Sequence, residues 1–494
     1  MKPDIIIHKL DEVNLVIECS DGIAYELREQ FTFYVPNYQF MPAYKNRMWD
    51  GKIRLFDIRT HTLYIGLKKE LEDFCKQRDY HYTYSFDETE DEISAEDTYK
   101  FVKTLEHTLE ERDYQLMAVH KALNKKRLIL LSPTSSGKSK IIYDTMRYLE
   151  GIRKKVLIIV PTIQLVEQIY KDFEEYSAKN NWNVEEKCHK IYQGKPKNTN
   201  KFVTISTWQS IYTLHPEWFH QFDVMIGDEV HTFKSKSLTY IASNCVNADY
   251  RIGLTGSLDD SQTHEMVLRG LFGPINNVAR TKELMDRGYI SNLNIDAIIL
   301  KHPKAINDIA RKWKFQQEID YIVGSEARNR FIKNLAINLD GNVLILFHYV
   351  KKHGVPLFKM IEKTLPEGKN IHFIFGGTDV EQREKIRSIV SKSKNNIIIA
   401  SFGTTSTGIN MPDLHYMIFA SSFKARIKNL QSIGRLIRIG SDGSNKVRLF
   451  DIADDMRYTQ TSRENYLLKH FRIRLELYRS ENFDYKITKV DLKE

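Results

Sequence analysis

From about residue 100 onward, short apolar runs alternate with helical patterns, and this rhythm restricts the fold more than any other feature of the chain. RLILLS (127–132) precedes a helical pattern over 139–149, KVLIIV (155–160) one over 162–177, and FVTIS (202–206) one over 207–214; VMIGDE (224–229) and RIGLTG (251–256) complete the set. A second set follows: NVLILFH (342–348), IHFIFG (371–376), NIIIAS (396–401), YMIFAS (416–421) and VRLFDI (447–452). Strands separated by helices can pair side by side only through crossovers, so each set predicts a mostly parallel sheet. The fold class is α/β, with two such units joined somewhere between 285 and 335.

The length of 494 residues implies about three domains. The third lies at the N-terminus. IIIHKL, LVIEC, FTFYV and KIRLF are short alternating segments, which predict a small α+β domain over 1–85. SFDETEDEISAED (85–97) carries seven carboxylates and no base, and reads as a solvated acidic linker, 86–100, or the start of a helix. The expected boundaries are then 101–285 for the first α/β unit and 286–494 for the second. The second ends in a basic amphipathic helix over Thr459–Arg479.

A net charge of +9 suits a polyanionic partner. The four cysteines are scattered without a CxxC pair, as expected for free thiols in a reducing cytoplasm. The N-terminus mixes charge into its apolar positions, unlike a signal peptide, and no apolar run is long enough to cross a membrane.

Three segments carry chemistry. SPTSSGKS (132–139) joins a strand to a helix, so backbone N–H groups and a helix N-terminus converge there on a place for phosphate. Gly137 permits close approach, Lys138 reaches the β/γ-phosphates and Ser139 holds Mg2+. The first glycine of the usual pattern is replaced by Ser132, and taken alone the string has a less favoured second reading as a solvated loop. In VMIGDEVH, a strand ends in Asp228 and Glu229, which in a parallel sheet lie beside the phosphate loop. Asp228 would orient the metal and Glu229 polarise the attacking water. In KNLQSIGRLIRIG (428–440), Gln431, Arg435 and Arg438 recur at helical spacing; arginines of this kind stabilise phosphoryl transfer, or pair with surface acids.

In this order the motifs resemble those of the superfamily 2 helicases, over about 110–455. The resemblance implies two tandem RecA-like domains with ATP between them. RDYQ supplies Arg112 and Gln115 for adenine; Pro133, Thr134, Ser135 and Ser136 join Gly137, Lys138 and Ser139 around the phosphates. Superfamily 2 loops often lack the first glycine. DEVH and LTGS supply His231, Thr255 and Ser257 as the coupling between ATP and nucleic acid. PTIQLVEQ, TISTWQS and SFGTTSTGINMP supply Thr162, Thr207 and Thr404 as phosphate contacts, though each is equally placed to cap a helix. Gly408 and Asn410 would meet the nucleotide from the second unit, and Gln431, Arg435 and Arg438 would act in hydrolysis.

NRMWDGKIRLFD (46–57) ahead of the motor motifs extends the resemblance to the phage recombination helicases. That implies an ATP- and Mg2+-dependent enzyme on branched or forked DNA, which regresses forks, migrates Holliday junctions and dissociates R-loops, including RNA–DNA hybrids. It implies a monomer in the host cytoplasm, with single-strand-binding or recombination proteins as partners. The rival readings are an RNA helicase and a DNA-binding scaffold with a decayed ATPase. Decay predicts losses at Lys138, Glu229 or Arg438, and all three are present.

YQFMPAYKNRMWDGKIRLF (38–56) interleaves Tyr38, Phe40, Tyr44, Trp49 and Phe56 with Lys45, Arg47, Lys52 and Arg54. Two readings stand level. Either the cations grip phosphate while an exposed ring stacks on an unpaired base, or Trp49 is buried in a small core and the charges are solvated. Asp50–Gly51 reads as a turn.

Overall fold

The computed structural model describes residues 3–87, 92–233, 236–258, 261–406, 413–421, 426–437, 446–459 and 461–493. The chain divides into two compact units, Met1–Ser132 with Gly137–Val278, and Ala279–Glu494 with the loop Pro133–Ser136.

The first unit opens with a five-stranded mixed sheet, in spatial order Phe56–Asp57, Thr62–Tyr64, Asn14–Cys19, Ile5–Lys9 and Tyr82–Tyr84. All neighbours are antiparallel except the last pair. Ile5, Ile7, Leu15 and Ile17 face inward at alternate positions, as a half-buried sheet requires. Helices Asp21–Gln30 and Lys68–Gln77 cover that face with Leu27, Leu71 and Phe74. A separate antiparallel ribbon, Thr32–Tyr34 with Lys52–Arg54, carries the excursion between them. The acidic stretch ends in a helix, Ala95–Thr104, whose first turn holds Glu96 and Asp97 and whose cap is Ser94, the Asp97 N–H donating to its hydroxyl.

The rest of this unit is a seven-stranded sheet, parallel throughout. Its order is Cys188–Ile191, Val203–Thr207, Val156–Val160, Val224–Asp228, Tyr250–Thr255, Arg127–Leu131 and Ile275–Asn277. The central strands Val156–Val160, Val203–Thr207 and Val224–Asp228 are buried at every position, because helices cover both faces. The small N-terminal domain shares a continuous apolar core with this sheet: Leu67 and Leu71 join Leu268, Leu271 and Phe272. Polar ties reinforce the joint. Arg127 pairs with Glu12, Arg269 with Glu70 at 2.7 Å, and the Thr263 hydroxyl donates to the Tyr34 carbonyl at 2.6 Å. Arg251, fully buried, donates to the carbonyls of Ala242, Cys245 and Leu271, fastening the sheet to helix Gln262–Phe272.

The second unit is another seven-stranded parallel sheet, ordered Asn370–Ile374, Asn396–Ser401, Val343–Phe347, Tyr416–Phe419, Lys446–Asp455, Asn292–Lys301 and Asp484–Asp491. Two buried ion clusters hold it. Asp454 meets Arg328 at 2.8 Å and His302 at 3.0 Å. Arg474 meets Asp451 at 2.7 Å, with the Tyr478 hydroxyl donating to the same carboxylate at 2.8 Å.

The structure corrects the sequence reading of the tail. The last helix spans Tyr466–Ser480 and does not start at Thr459. Asn465 stands at its cap position, and the buried Glu318 carboxylate accepts from the N–H groups of Tyr466 and Leu467, satisfying donors that a helix start leaves open. Arg474 faces the core and not solvent. A further strand, Asp484–Asp491, follows the helix and completes the sheet edge.

Candidate functional site

The phosphate loop leaves the end of strand Arg127–Leu131 and enters helix Lys138–Gly151. Ser132 is buried as a continuation of the strand, its N–H donating to the Thr255 carbonyl at 2.9 Å. That position therefore needs no glycine. The left-handed turns fall later, at Ser135 (φ 70°) and Gly137 (φ 83°). A Cβ on Gly137 would stand 2.3 Å from Gln115 Nε2, so glycine is required by both its backbone angle and its neighbour. Between them, Ser136 turns its hydroxyl to the Pro133 carbonyl at 2.6 Å. The partly exposed Pro133, Thr134 and Ser135 complete the loop.

Gln115 reaches the loop from helix Asp113–Lys125, three residues inside its N-terminus. Its Oε1 accepts from the Arg112 N–H at 3.3 Å, and Arg112 Nη1 donates to the Tyr114 hydroxyl at 3.0 Å. Lys138 Nζ lies 3.7 Å from Glu229 Oε1. Ser139 shares a hydrogen bond with the Tyr176 side chain.

Glu229 sits just past strand Val224–Asp228, in a left-handed conformation (φ 50°) that a residue with a Cβ adopts at a cost. The Glu229 N–H donates to Asp228 Oδ1, while the Thr232 hydroxyl donates to the Glu229 carbonyl at 2.9 Å. The two carboxylates feel different surroundings. Burial, then the Glu229 charge, pushes Asp228 up to about 7. Burial also acts against the Glu229 charge, but Lys138 and a His231 hydrogen bond outweigh it and hold that carboxyl down at about 2. Glu229 is thus held as the anion, while burial and the neighbouring charge favour the protonated form of Asp228.

His231 connects this pair to the next strand end. Its Nδ1 lies 3.3 Å from Glu229 Oε2 and 3.0 Å from Thr255 Oγ1. The Thr255 hydroxyl, buried at the end of strand Tyr250–Thr255, donates to the Ser257 carbonyl at 2.9 Å. Lys138, Asp228, Glu229, His231, Thr255 and Ser257 therefore form one connected network with Gln115 behind the loop.

The proposed phosphate-contact threonines differ in access. Thr162 caps helix Ile163–Tyr176, accepting from the Leu165 N–H at 3.3 Å, and is partly exposed. Thr207 is buried against Ser210 at 2.9 Å. Thr404 is buried in helix Phe402–Ser406, its hydroxyl donating to the Ser401 carbonyl at 2.7 Å. Gln431 and Arg435 lie on helix Arg426–Leu436, with side chains outside the described residues; Gly408, Asn410 and Arg438 also lie outside them.

In the N-terminal domain, Lys45, Arg47 and Arg54 are exposed, and Lys52 is half-buried over the Tyr34 ring at 4.9 Å. Trp49 is half-buried, its indole N–H donating to the Lys52 carbonyl at 2.9 Å. Phe56 is core. Arg54 pairs with Asp50, and the turn at Asp50 is closed by the Lys52 N–H. Phe40 and Met48 are the outermost apolar side chains of the segment, 71 % and 80 % exposed. Reading the sequence gave Met48 no role; a methionine between an arginine and a tryptophan has no periodicity to mark it as surface.

A phosphate loop and a DExH carboxylate pair at the ends of two strands of one parallel sheet, with Tyr250–Thr255 between them, ahead of a second parallel sheet, define a superfamily 2 ATPase motor. Three family descriptions match in tandem: "DNA helicase UvsW, N-terminal" over 4–86, "Type III restriction enzyme, res subunit" over 108–260, and "Helicase conserved C-terminal domain" over 326–440. The chain is 34 % identical to the ATP-dependent DNA helicase uvsW of Enterobacteria phage T4, over 99 % of this chain and 100 % of that protein. A crystal structure of T4 UvsW matches with a TM-score of 0.52 and 32 % identity, covering 99 % of this chain and 100 % of that one. A DNA 3'-5' translocase, XPB2, of Sulfurisphaera tokodaii is 25 % identical over 67 % of this chain and 79 % of its own length. The chain belongs to the UvsW family of ATP-dependent DNA helicases.

Proposed function

We propose that the chain uses ATP hydrolysis to remodel branched DNA: it regresses forks, migrates Holliday junctions and dissociates R-loops. The observation that carries the motor part is the connected network from Lys138 through Glu229 to His231 and Thr255, with Gln115 packed beside Gly137 of the loop. Full-length similarity, including the N-terminal domain, supports the branched substrate.

In this reading Gln115 and Arg112 serve the adenine, and the loop Pro133–Ser139 takes the phosphates. Mg2+, when bound, neutralises charge on the transferring phosphoryl group. The fit lies in Asp228, a buried carboxyl whose anion burial and the Glu229 charge disfavour more than Lys138 and His231 support it. Ser139 would join it. Glu229, kept ionised by Lys138 and His231, orients the attacking water and accepts its proton. Arg435 and Arg438 supply positive charge to the transition state, with Gln431 beside them in sequence, and Gly408 and Asn410 serve the nucleotide. Loss of the γ-phosphate changes the Glu229–His231–Thr255 contacts, and Ser257 passes that change to the DNA side. Thr162, Thr207 and Thr404 mark the strand path; with Thr207 and Thr404 closed, contact there falls to backbone N–H groups or follows an opening. Lys45, Arg47, Trp49, Lys52 and Arg54 form the N-terminal DNA contacts. The enzyme acts as a phage-encoded monomer in the host cytoplasm, alongside single-strand-binding or recombination proteins.

The test is ATP turnover with and without forked DNA, together with fork regression. DNA-stimulated turnover is expected in the wild type, with a loss of about 100-fold or more in Glu229→Gln. Lys138→Arg turning over ATP at the wild-type rate would sink the site assignment.

A further inference from the structure

The excursion over residues 34–52 is an ordered knob with an apolar tip. Tyr34 stacks on Tyr38 at 4.9 Å, and Tyr38 meets Tyr44 edge-on at 4.8 Å. Gly51 (φ 81°) lets Tyr38 lie flat on the returning strand, where a Cβ would fall 2.3 Å from the ring. The backbone closes on itself: the Val35 N–H donates to Gly51, Met41 to Tyr38, Arg47 to Tyr44 and Met48 to Ala43. Its base is tied to helix Gln262–Phe272 through the Thr263–Tyr34 hydrogen bond. The tyrosines thus pack on one another in a partly exposed stack, and Phe40 and Met48 stand further out, outside that stack.

Two large apolar side chains held in solvent on one knob cost free energy unless they meet a partner. Beside them lies a groove of about 650 Å3 lined by Gln39, Tyr44, Lys45, Arg47, Met48 and Trp49. That volume falls within the roughly 300–1,000 Å3 of small-ligand pockets. Its one acid, Asp50, is occupied by Arg54. An apolar tip over a groove rimmed by cations matches a nucleotide: ring and thioether for the base, Lys45 and Arg47 for the phosphate.

We propose that this knob is the branch-reading element: Phe40 and Met48 insert at the junction and hold bases unpaired, while a displaced nucleotide lies in the Tyr44–Trp49 groove. Apolar wedges of this chemistry unstack base steps, and bases already unpaired at a junction cost least to take. The inference rests on the DNA-motor reading and adds to it the residues that select a branch over a plain strand. The pair is prefolded, so little ordering entropy opposes binding.

The experiment uses the full chain with Phe40→Ser and Met48→Ser combined. Both residues are surface, and an unchanged melting temperature is the check on folding. Affinity is measured for a fork carrying 2-aminopurine at the branch and for a linear single strand, each across a salt series. The wild type is expected to prefer the fork and to raise 2-aminopurine fluorescence. The double variant should lose about tenfold of that preference and the fluorescence rise, with its salt slope kept. Lys45→Gln with Arg47→Gln should instead reduce the slope by about two on the fork. Equal losses on both DNAs, or none on either, overturn the proposal; a knob that docks another protein would give the second result. Absence of any DNA-stimulated ATP turnover in the wild type is a separate failure, of the motor reading itself.

Discussion

Asp228 and Glu229 are adjacent, yet their protons are held very differently, and this has a measurable consequence. Asp228 ionises near 7 in the folded protein against 3.8 unfolded, because burial and the Glu229 charge disfavour its anion. A raised folded value means the native state binds the extra proton. Stability from this residue is fully present below pH 3.8 and is lost as pH rises through about 7. Asp228→Asn removes the titration. The variant should therefore gain on the wild type between pH 5 and pH 8, by roughly 2–4 °C in melting temperature per kcal/mol released. Thermal melts of the nucleotide-free protein at both pH values check this; parallel curves would mean the carboxylate is not held as the geometry indicates. Lys138, Asp228 and Glu229 stood out in the sequence because GKS and DE are short strings at strand ends, where phosphate chemistry uses those types; Gln115 stood out only through the family resemblance. The bond from Ser139 to Tyr176 did not, since it joins two helices 37 positions apart and leaves no local pattern.

Elements followed the same division. Strands buried on both faces, such as Val156–Val160 and Val343–Phe347, are unbroken apolar runs and were read directly. Four others were missed. Cys188–Ile191 and Ile275–Asn277 are short sheet edges. Asn292–Lys301 opens with alternating asparagines and Asp296 before its apolar half, so its pattern changes midway. Asp484–Asp491 is an exposed edge rich in charge, where pairing and not burial defines the strand. The last helix was read as basic and amphipathic without separating Arg474 from its neighbours in sequence; its partner Asp451, 23 residues earlier, shows it to be core. Arg474→Ala strands a buried carboxylate and should cost about 3–5 kcal/mol, whereas Arg472→Ala, at an exposed position, should cost under about 1 kcal/mol. Denaturant midpoints of the two variants decide it, and similar losses would contradict the buried pair.

At the scale of the molecule, the surprise is how the N-terminal domain is carried. The acidic stretch after it was read as a solvated linker or a helix start. The domain's core runs into the first parallel sheet, and Glu12–Arg127 and Glu70–Arg269 bind surfaces more than 100 residues apart. No sequence pattern announces such a joint, because each half has an ordinary amphipathic face. A shared core predicts shared unfolding. Leu71 is fully buried in the N-terminal domain, on the opposite side of the joint from the phosphate loop's own sheet. Leu71→Ala should destabilise by about 2–5 kcal/mol. A non-hydrolysable ATP analogue at 100 times its Kd should add about 2.7 kcal/mol to whatever unit holds the loop. If the domain and the sheet form one cooperative unit, calorimetry shows the same transition lowered by the substitution and raised by the nucleotide. A transition lowered by Leu71→Ala but indifferent to nucleotide would show that the domain melts alone. In that case the knob at 34–52 would not be held in register with the ATP site. In the joined case, any displacement of the first sheet carries the Phe40–Met48 tip with it, and the tip's position at a branch follows the motor's stroke.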